Sequence, residues 1–480
     1  MAFRGWGSMR CFLGIIALTL IACVGAESTV SCSKAPTPRR FADIKSNNGK
    51  FEEGQKWTNW TLIEAHEHRA IVVEWGYYHW PKLELNARSV AAIILGGVGA
   101  SLCTAAGLGG GGLFIPLFNL LLQFDSKTSA ALSNFMILGG QLVTMMLNLP
   151  RSHPFQEDKP LIDFESALLL QPNLLLGISV GVLLNVVFPS WLVTLCLIVV
   201  LGSMTISSLK NGVKRWKKES QQFVTAISDG GLPAVQASSG IENGILDEPL
   251  LEKHRVKLVY PLKKILALAV VWLAFFAVQL IRTQTEKCSV VYWIITATQI
   301  PFALIVTYFA LQNQLKSCPS FPEGSKTTPV NDGFLLGPKE SYLLPKLALG
   351  TGVIGGMLGT GGSMIMSPVL LHAGMHPQVT AATSGFMVVF SSSMSVVQYW
   401  LLGMVPMDWA LSGAGLSAVF SVVGILVVQR LVQKYGRASL IVFIVAFVVG
   451  LSAVTMASVG GYNVWERYEA GSYMGFNSPC

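Results

Sequence analysis

The 480-residue chain has few charged side chains. Asp, Glu, Lys and Arg make up 12% of it, well below the roughly 25% typical of a soluble globular protein. Charge is absent altogether from four stretches, each longer than the ~20 apolar residues that cross a bilayer. This pattern excludes an ordinary soluble enzyme and predicts a polytopic membrane protein. The charge-free stretches run from Ser89 to Phe124, Thr128 to Pro150, Ser166 to Leu209 and Leu347 to Met407.

Cysteine and catalytic signatures are also scarce. The 8 cysteines are scattered without a CxxC pair, which argues against a disulfide scaffold or a zinc site. No GxSxG, Walker or HExxH sequence occurs, so we expect no enzymatic activity and no cofactor. The pairs His372/His376 and His66/His68 are better explained as structural than as metal ligands, because Gly374 favours a turn in one pair and the other lacks partners.

The first 26 residues have the order of a secretory signal peptide. Arg4 and Arg10 precede an apolar run from Cys11 to Val24, and small residues up to Ala26 follow it. An uncleaved anchor helix is the alternative. Cleavage near Ala26 would leave residues 27–88 on the lumenal or extracellular side. We therefore expect entry through the secretory pathway to the plasma membrane or to an endomembrane such as that of the vacuole.

Ten apolar segments and two polar loops make up the rest of the chain. The loops are rich in Gly, Ser, Pro and charge, a composition typical of irregular structure. The predicted organisation is a signal peptide (1–26), a lumenal or extracellular segment (27–88), a first transmembrane repeat (89–209), a cytoplasmic loop (210–260), a connecting transmembrane pair (261–311), a loop (312–341), a second transmembrane repeat (342–460) and a C-terminal tail (461–480).

The basic residues predict the orientation. The net charge is +8, but the Lys and Arg cluster beside apolar segments, as from Lys210 to Lys218, which is typical of cytoplasmic flanks rather than of nucleic-acid binding. If every segment crossed once from a lumenal start, this cluster would lie outside. The first segment, interrupted by GLGGGG, would correct the count if it entered the membrane and returned as a half-helix. We then expect the C-terminal tail in the lumen.

Two parts of the chain repeat each other in the same order. Residues 107–116 align without gaps on 359–368, and residues 130–136 align on 381–387. The sequence thus predicts an all-α polytopic membrane protein with two homologous, inverted repeats and glycine-broken helices. The shared pairs are Gly107/Gly359, Gly109/Gly361, Gly110/Gly362, Pro116/Pro368, Ala130/Ala381, Ala131/Ala382, Ser133/Ser384, Phe135/Phe386 and Met136/Met387.

A GxGG sequence inside a membrane segment predicts a break in the helix. Irregular backbone is tolerated in a bilayer only where protein or a water-filled cavity satisfies its polar groups. The half-helix that follows, starting near Leu113 or Ile365, would direct its amide N–H groups at the break, which suits an anion. Paired broken segments in two halves are typical of a transporter's central site. Close helix packing through small residues is the alternative.

Hydroxyl and amide side chains follow each break and can replace water around an oxyanion without adding charge. Interhelical hydrogen bonding is the alternative role. We interpret Gln141, Asn148, Asn185 and Gln398 as structural. The predicted substrate-binding residues are Gly107, Gly109, Gly110, Gly111, Ser133, Asn134, Gly359, Gly361, Gly362, Ser363, Thr383 and Ser384.

The paired GxGG…Pro and AA-x-S-x-F-M elements resemble the TauE/SafE sulfite exporter-like family, in its plant-type form. The resemblance covers roughly residues 90–460. It implies a multi-pass transporter, since some bacterial members are linked to export of sulfite or sulfonates. The second copy has Ser363 and Met364 where the first has Gly111 and Gly112, so the two half-sites are not equivalent.

Two functions remain. The first is a secondary transporter or exporter of small anions, of the sulfite or organosulfonate-like oxyanion type, with the lipid bilayer and the anion as partners and no nucleic acid. The second is a non-transporting membrane receptor or scaffold that binds partners through residues 27–88 and its loops. The near absence of acids within the apolar segments weakens a proton-relay mechanism. The sequence leaves open whether the protein forms a homo-oligomer.

Overall fold

The computed structural model is helical throughout the ranges that it describes. An isolated β-bridge between Ser152 and Pro160 is the non-helical pairing within them, and the predicted all-α class is confirmed there. The predicted signal peptide and nearly all of residues 27–88 lie outside these ranges. The structure describes residues 87–105, 109–122, 124–153, 159–228, 261–286, 289–317, 338–375, 377–435, 439–469 and 475–476.

Twelve helices occupy the described ranges. Five precede and five follow a connecting pair. They are α1 (Ala87–Ala105), α2 (Gly111–Leu121), α3 (Ser126–Asn148), α4 (Phe164–Val187), α5 (Ser190–Ser228), the connecting α6 (Leu262–Gln284) and α7 (Val290–Ser317), and then α8 (Pro338–Leu358), α9 (Ser363–His372), α10 (Pro377–Leu401), α11 (Met407–Tyr435) and α12 (Ser439–Glu469).

Seven of these helices are long and apolar enough to cross a membrane, judged by length and composition within the described ranges: α3, α4, α5, α6, α7, α10 and α11. Seven rather than ten of the predicted segments become such spans, because glycine breaks divide two of them and the last segment, in α12, is not among the seven. The first becomes α1 and α2, and the segment Leu343 to Ala373 becomes α8 and α9. The loop predicted from residue 210 begins as helix, since α5 continues to Ser228.

Side-chain caps explain where two central helices begin. The Asp125 carboxylate accepts hydrogen bonds from the backbone N–H groups of Lys127 and Thr128 at the start of α3. The Asp163 carboxylate does the same for Glu165 and Ser166 at the start of α4. Asp is among the residues preferred at this position, because its oxygens satisfy amides that the helix leaves unpaired. The two carboxylates mark opposite ends of the bundle, which we name the Asp125 face and the Asp163 face.

Contacts between helix ends define the two faces. The Lys127 ammonium donates to the Val186 carbonyl at 2.8 Å, so α4 ends where α3 begins. The rings of Phe124 and Trp409 meet edge to face with centroids 5.7 Å apart, which brings the start of α11 to the Asp125 face. On the Asp163 face, a salt bridge joins Glu165 at the start of α4 to Lys264 at the start of α6.

The two broken segments fold back as hairpins. In the first, a β-carbon added to Gly110 at the start of α2 would lie 3.3 Å from the Cys103 Cβ near the end of α1, and one added to Gly96 would lie 3.9 Å from Leu117. In the second, the Thr351 hydroxyl of α8 lies 3.7 Å from the Met366 sulfur of α9. α1 and α2 are therefore antiparallel, as are α8 and α9.

The hairpins enter the bundle from opposite faces. Gly96 of α1 lies near Met136 of α3, and Thr104 lies near Gly140 one turn further along α3. α1 thus runs in the direction of α3, inward from the Asp125 face. In the second hairpin, Gly352 of α8 packs on Leu174 and Gly177 of α4, and Gly356 packs on Ile178 and Gly181. α8 thus runs with α4, inward from the Asp163 face.

The closest backbone approaches join the two halves of the chain. α4 and α8 touch along a row of glycines, Gly177 and Gly181 against Gly352 and Gly356, where added β-carbons would collide with the neighbouring backbone. α1 and α11 approach in the same way at Gly424, whose β-carbon would lie 2.5 Å from the Ser101 Cα. Small residues let helices approach this closely in membranes. α3 and α10 lie in the middle and are buried over most of their length.

Candidate functional site

Both half-helices begin at a glycine in the left-handed conformation. Gly110 caps α2 with φ 84°, and Gly362 caps α9 with φ 76°. These two residues were paired by the sequence alignment, and a side chain with a β-carbon would be strained at either position. Gly109, Gly359 and Gly361 also have positive φ, at 74°, 71° and 65°. The glycines are thus needed for the turn that separates each half-helix from the helix before it.

The two breaks touch each other. A β-carbon added to Gly111 would lie 2.6 Å from the Thr360 Cα and 3.2 Å from the Gly359 carbonyl oxygen. The backbone N–H of Gly112 donates to the Met364 sulfur at 3.2 Å, so the first turn of α2 also contacts the first turn of α9. The N-terminal ends of two half-helices, entering from opposite faces, therefore meet near the centre of the bundle.

Polar side chains from neighbouring helices satisfy the carbonyls that the second break exposes. The Ser133 hydroxyl of α3 lies 2.5 Å from the Gly359 carbonyl oxygen. It is also 2.8 Å from the Ala130 carbonyl of its own helix and can donate to one of them at a time. The Ser391 hydroxyl of α10 donates to the Gly361 carbonyl oxygen at 2.8 Å. These side chains supply the hydrogen-bond partners that irregular backbone requires within a bilayer.

The end of α8, just before the break, is held in the same way. The Tyr399 hydroxyl of α10 donates to the Gly356 carbonyl at 2.9 Å. The Asn185 side-chain amide of α4 donates to the Met357 carbonyl at 2.6 Å. These carbonyls belong to the last turn of a helix, where no intrahelical N–H follows. The sequence predicts a structural role for Asn185, and here its amide holds the end of α8.

Four polar atoms near the breaks have no hydrogen-bond partner among the described residues: Asn134 Oδ1, both side-chain heteroatoms of Gln141, and Thr360 Oγ1. Asn134 and Gln141 are 0% exposed and Thr360 is 1% exposed. Such groups cost roughly 1–3 kcal/mol each when they are buried without a partner, so native proteins seldom leave several together. A bound ligand would satisfy them.

These unpaired groups come from the second break and from the neighbouring helix α3. Asn134 and Gln141 lie two turns apart on α3, on the side that faces α10. The Gln141 Oε1 would lie 2.9 Å from a β-carbon added to Gly385 on α10. Thr360 lies in the second break against Gly111. We call Asn134, Gln141 and Thr360 the central polar cluster; one of these side chains belongs to the second break and two belong to α3.

The electrostatics of the central polar cluster favour a small anion. No Asp, Glu, Lys or Arg occurs in α2, in α9, in α10 or in α3 beyond Lys127. The available groups are a hydroxyl, an amide that can present N–H to a ligand, and the positive ends of two half-helix dipoles. A cation would find no acceptor of full charge among these groups, whereas an oxyanion would find two neutral donors, the Gln141 side-chain N–H and the Thr360 hydroxyl.

The remaining predicted residues have other environments. Thr383 Oγ1 accepts the Asp163 backbone N–H at 2.9 Å, which ties α10 to the start of α4. Burial raises the pKa of the Asp163 carboxyl, and the hydrogen bonds from Ser166 oppose that rise. The Ser384 hydroxyl pairs with that of Ser367 on α9 at 2.8 Å. Ser363 is the first residue of α9, and Gly107 lies outside the described residues.

Part of this arrangement lies outside the set of residues predicted from the sequence. Thr360 lies inside the Gly-Thr-Gly-Gly sequence, and a hydroxyl within a helix break was a usable signal. Gln141 was interpreted as structural, although its position two turns after Asn134 puts both amides on one side of α3. Ser391 and Tyr399 lie among several other polar side chains of α10. Nothing in their spacing indicates that they bond carbonyls in the second break and just before it.

Of the two histidine pairs weighed as metal ligands, the structure describes His372 alone. In the described ranges, no group of three or more His, Cys, Asp or Glu side chains is placed to hold a metal ion. His372 ends α9 and is followed by Gly374 with φ 97°, which gives the turn expected at that point. His66, His68 and His376 lie outside the described residues.

Comparison with known proteins gives consistent matches. The family model described as "Sulfite exporter TauE/SafE" matches residues 343–472. Sulfite exporter TauE/SafE family protein 2 of Arabidopsis thaliana is 38% identical over 417 residues, covering 84% of this chain and 90% of the relative. Family protein 1 of the same plant is 37% identical over 83% of this chain and 89% of its own length. No solved structure matches the chain.

Proposed function

Because the chain belongs to the sulfite exporter TauE/SafE family, we propose that it is a secondary transporter of small oxyanions of the sulfite or organosulfonate type. Membership makes it an integral membrane protein of a transporter family. The proposal adds the substrate class and the site, which is the central polar cluster together with the first turns of α2 and α9.

One observation carries the proposal: buried, unpaired polar groups lie where two half-helix N-termini meet. In bilayer proteins, irregular backbone at membrane depth is restricted to places that protein or a cavity satisfies. Here the exposed carbonyls of the second break are satisfied by Ser133 and Ser391, while hydroxyl and amide groups are left over. Among the groups left over, the Gln141 side-chain N–H and the Thr360 hydroxyl can donate to an anion.

The arrangement of the hairpins supports two inverted repeats. Each half has a broken hairpin followed by three long helices, and the connecting pair α6 and α7 returns the chain to the face from which α6 began. An odd number of crossings in the first half means that the second begins on the opposite face. This is the design in which inverted halves place a substrate near the membrane midplane.

Basic residues support an assignment of the two faces. Lys210, Lys214 and Lys217 lie on the part of α5 that extends beyond the Asp163 face, and Lys264 and Arg430 lie at the same end of the bundle. An excess of Lys and Arg is typical of cytoplasmic flanks. We therefore assign the Asp163 face to the cytoplasm and the Asp125 face to the lumen or the exterior, with the C-terminal residues on the second.

The close contacts between halves suggest which parts move together. α4 is locked to α8 by facing glycines, and α1 is locked to α11. We therefore propose that each rigid body combines a hairpin from one half with a helix from the other, and that the two bodies rock about the central polar cluster. This refines a simple movement of one repeat against the other.

Flux measurements in proteoliposomes test the proposal. We expect uptake or efflux of radiolabelled sulfite by the wild type, with competition by small sulfonates. Thr360→Val and Gln141→Leu should lower the affinity for sulfite at least about tenfold, since a lost hydrogen bond to a charged group is worth ~1.5–3 kcal/mol. Thr298→Val and Gln312→Leu are matched controls on α7, where both side chains bond within their own helix.

The receptor or scaffold function predicts the opposite result. A correctly folded wild type that carries no tested anion, while residues 27–88 still bind a partner, would favour it. Wild-type rates retained by both Thr360→Val and Gln141→Leu would leave the transporter but remove the central polar cluster as its site.

A further inference from the structure

Arg282 is a buried cation in the last turn of α6. Its side chain is 5% exposed, and its Nη1 has no hydrogen-bond partner among the described residues. The ring of Tyr292 lies beside it, with its centroid 5.4 Å from the guanidinium carbon. A salt bridge of the same helix joins other residues, Lys264 and Glu165, at the opposite end of α6. Arg282 therefore lacks an anionic partner within the part of the chain that the structure describes.

Such a side chain is costly to bury. Removing a guanidinium from water carries a large desolvation penalty, and an aromatic ring offsets only a part of it. Ionisable groups within membrane segments are for this reason rare, and they usually mark functional sites. Arg282 also lies at the Asp125 face, at the opposite end of the bundle from Lys210, Lys214 and Lys217 of α5. An arginine near a helix end can extend towards the interface, but this one is covered.

Further polar groups continue inward from Arg282. Gln279 lies one turn earlier on α6, is 0% exposed and donates through Nε2 to the Ser179 hydroxyl of α4 at 3.2 Å. Gln398 of α10 donates to the same hydroxyl at 3.1 Å. The Oε1 atoms of both glutamines have no partner in the described ranges. Because amide oxygen and nitrogen can exchange places by a flip, either side chain can present N–H to a ligand.

These groups lead towards the second break. Gln398 precedes Tyr399, whose hydroxyl bonds the Gly356 carbonyl at the end of α8. Arg282, Gln279, Ser179 and Gln398 thus form a row from the Asp125 face into the bundle between α4, α6 and α10, which we call the outer polar row. It begins with a full positive charge and continues with neutral groups only.

We propose that Arg282 and Gln279 form a second oxyanion site at the Asp125 face, outside the central polar cluster. The planar guanidinium matches the paired oxygens of a sulfite, sulfonate or phosphate group and can donate to two of them. A free oxyanion and the phosphate of a lipid headgroup share this chemistry. The free-anion form rests on the proposed transport function and makes this the outer stage of the substrate path.

Equilibrium binding of radiolabelled sulfite to the purified full-length protein tests this site. We expect two binding equivalents in the wild type and one in Arg282→Gln. Gln141→Leu should lose the central equivalent and keep the outer one, and the double variant should lose both. Lys263→Gln is the matched control, since it removes one charge from the exposed first turn of the same helix. It should bind as the wild type does.

Lipid composition separates the two sources of the anion. In vesicles of digalactosyldiacylglycerol, which has no phosphate, a free-anion site keeps both sulfite equivalents. If a headgroup occupies Arg282, phospholipid vesicles should instead mask one equivalent, and Arg282→Gln should co-purify with less phospholipid phosphate than the wild type. Either result supports an oxyanion at Arg282. Wild-type sulfite binding and wild-type lipid phosphate in Arg282→Gln would overturn it.

Two further measurements keep this test separate from folding and from the transport proposal. If Arg282→Gln does not fold, Arg282→Lys retains the charge without the fork, and we expect it to bind sulfite about tenfold more weakly at the outer site. Wild-type affinity there would refute the site. A wild type with no flux but with Arg282-dependent binding would refute transport alone. Normal flux with both equivalents retained in Arg282→Gln would refute the outer site alone.

Discussion

Gly111 and Thr360 lie in backbone contact, although 249 positions separate them in the 480-residue sequence (360 − 111 = 249). A β-carbon on Gly111 would lie 2.6 Å from the Thr360 Cα. The contact joins the first turn of one half-helix to the break before the other. It fixes the relative position of the two hairpins at the point where we propose that the substrate binds.

Gly111→Ala should therefore separate the two breaks. The added carbon meets backbone, which cannot rotate away as a side chain can, and overpacking of this kind typically costs about 1–3 kcal/mol. We expect a lower unfolding temperature in detergent and loss of sulfite flux. Gly202→Ala is the matched control, because a β-carbon on this helical glycine of α5 would meet nothing within 4 Å. Equal stability of Gly111→Ala and the wild type would contradict the contact.

Ser133→Ala tests whether this predicted site residue binds substrate or supports the break. Its hydroxyl is within reach of the Gly359 carbonyl, so the substitution should leave that carbonyl without a side-chain donor and cost roughly 1–3 kcal/mol. We expect a lower unfolding temperature in the absence of any anion. The anion-induced rise in that temperature should remain the same as in the wild type.

Ser392→Ala is the comparison for Ser133→Ala. The Ser392 hydroxyl is equally buried but donates to the Val388 carbonyl of its own helix at 2.6 Å. Its loss should have a smaller effect on stability, since the helix already satisfies that carbonyl. If Ser133→Ala instead keeps full stability and loses the anion-induced rise, Ser133 contacts the substrate directly.

Thr383 and Thr360 should separate in a pair of Thr→Val variants. The Thr383 hydroxyl is occupied by the Asp163 backbone N–H, and the Thr360 hydroxyl has no partner in the described ranges. We expect Thr383→Val to lower stability and leave the KM for sulfite unchanged. We expect Thr360→Val to raise KM and leave stability unchanged or slightly higher, because an unpaired buried hydroxyl is removed. A raised KM in Thr383→Val would restore Thr383 to the site.

The sequence predicts the helix breaks better than it predicts the contacts around them. Gly110 and Gly362 are recognisable because a left-handed cap within an apolar segment requires glycine, and the requirement occurs twice. The role of Thr383 could not be read in this way, since its partner is the backbone of Asp163, 220 positions away. The same holds for Gln141, because a buried amide looks alike in sequence whether its partners are present or missing.

Helix directions were predictable only where charge or glycine marked them. The basic cluster near Lys210 predicts that the first broken segment enters the membrane and returns as a hairpin. The antiparallel packing of α1 and α2 agrees with this prediction. The second hairpin escaped detection, because no charged loop lies between α8 and α9 to indicate the side on which the chain emerges. Its direction follows instead from the packing of Gly352 and Gly356 on α4.

Accessibility labelling checks the assignment of the faces. Lys214 and Thr283 are both exposed, and they lie at opposite ends of the bundle, on α5 and α6. With the accessible native cysteines replaced by serine, Lys214→Cys in right-side-out vesicles should react with a membrane-impermeant maleimide only after the membrane is permeabilised. The reason is that this residue lies on the cytoplasmic side. Thr283→Cys should react in sealed right-side-out vesicles, because the Asp125 face is the outer one. The reverse pattern would invert the orientation, and it would move Arg282 to the cytoplasmic end of the substrate path. Labelling of both positions from one side would contradict the packing of α6 across the bundle.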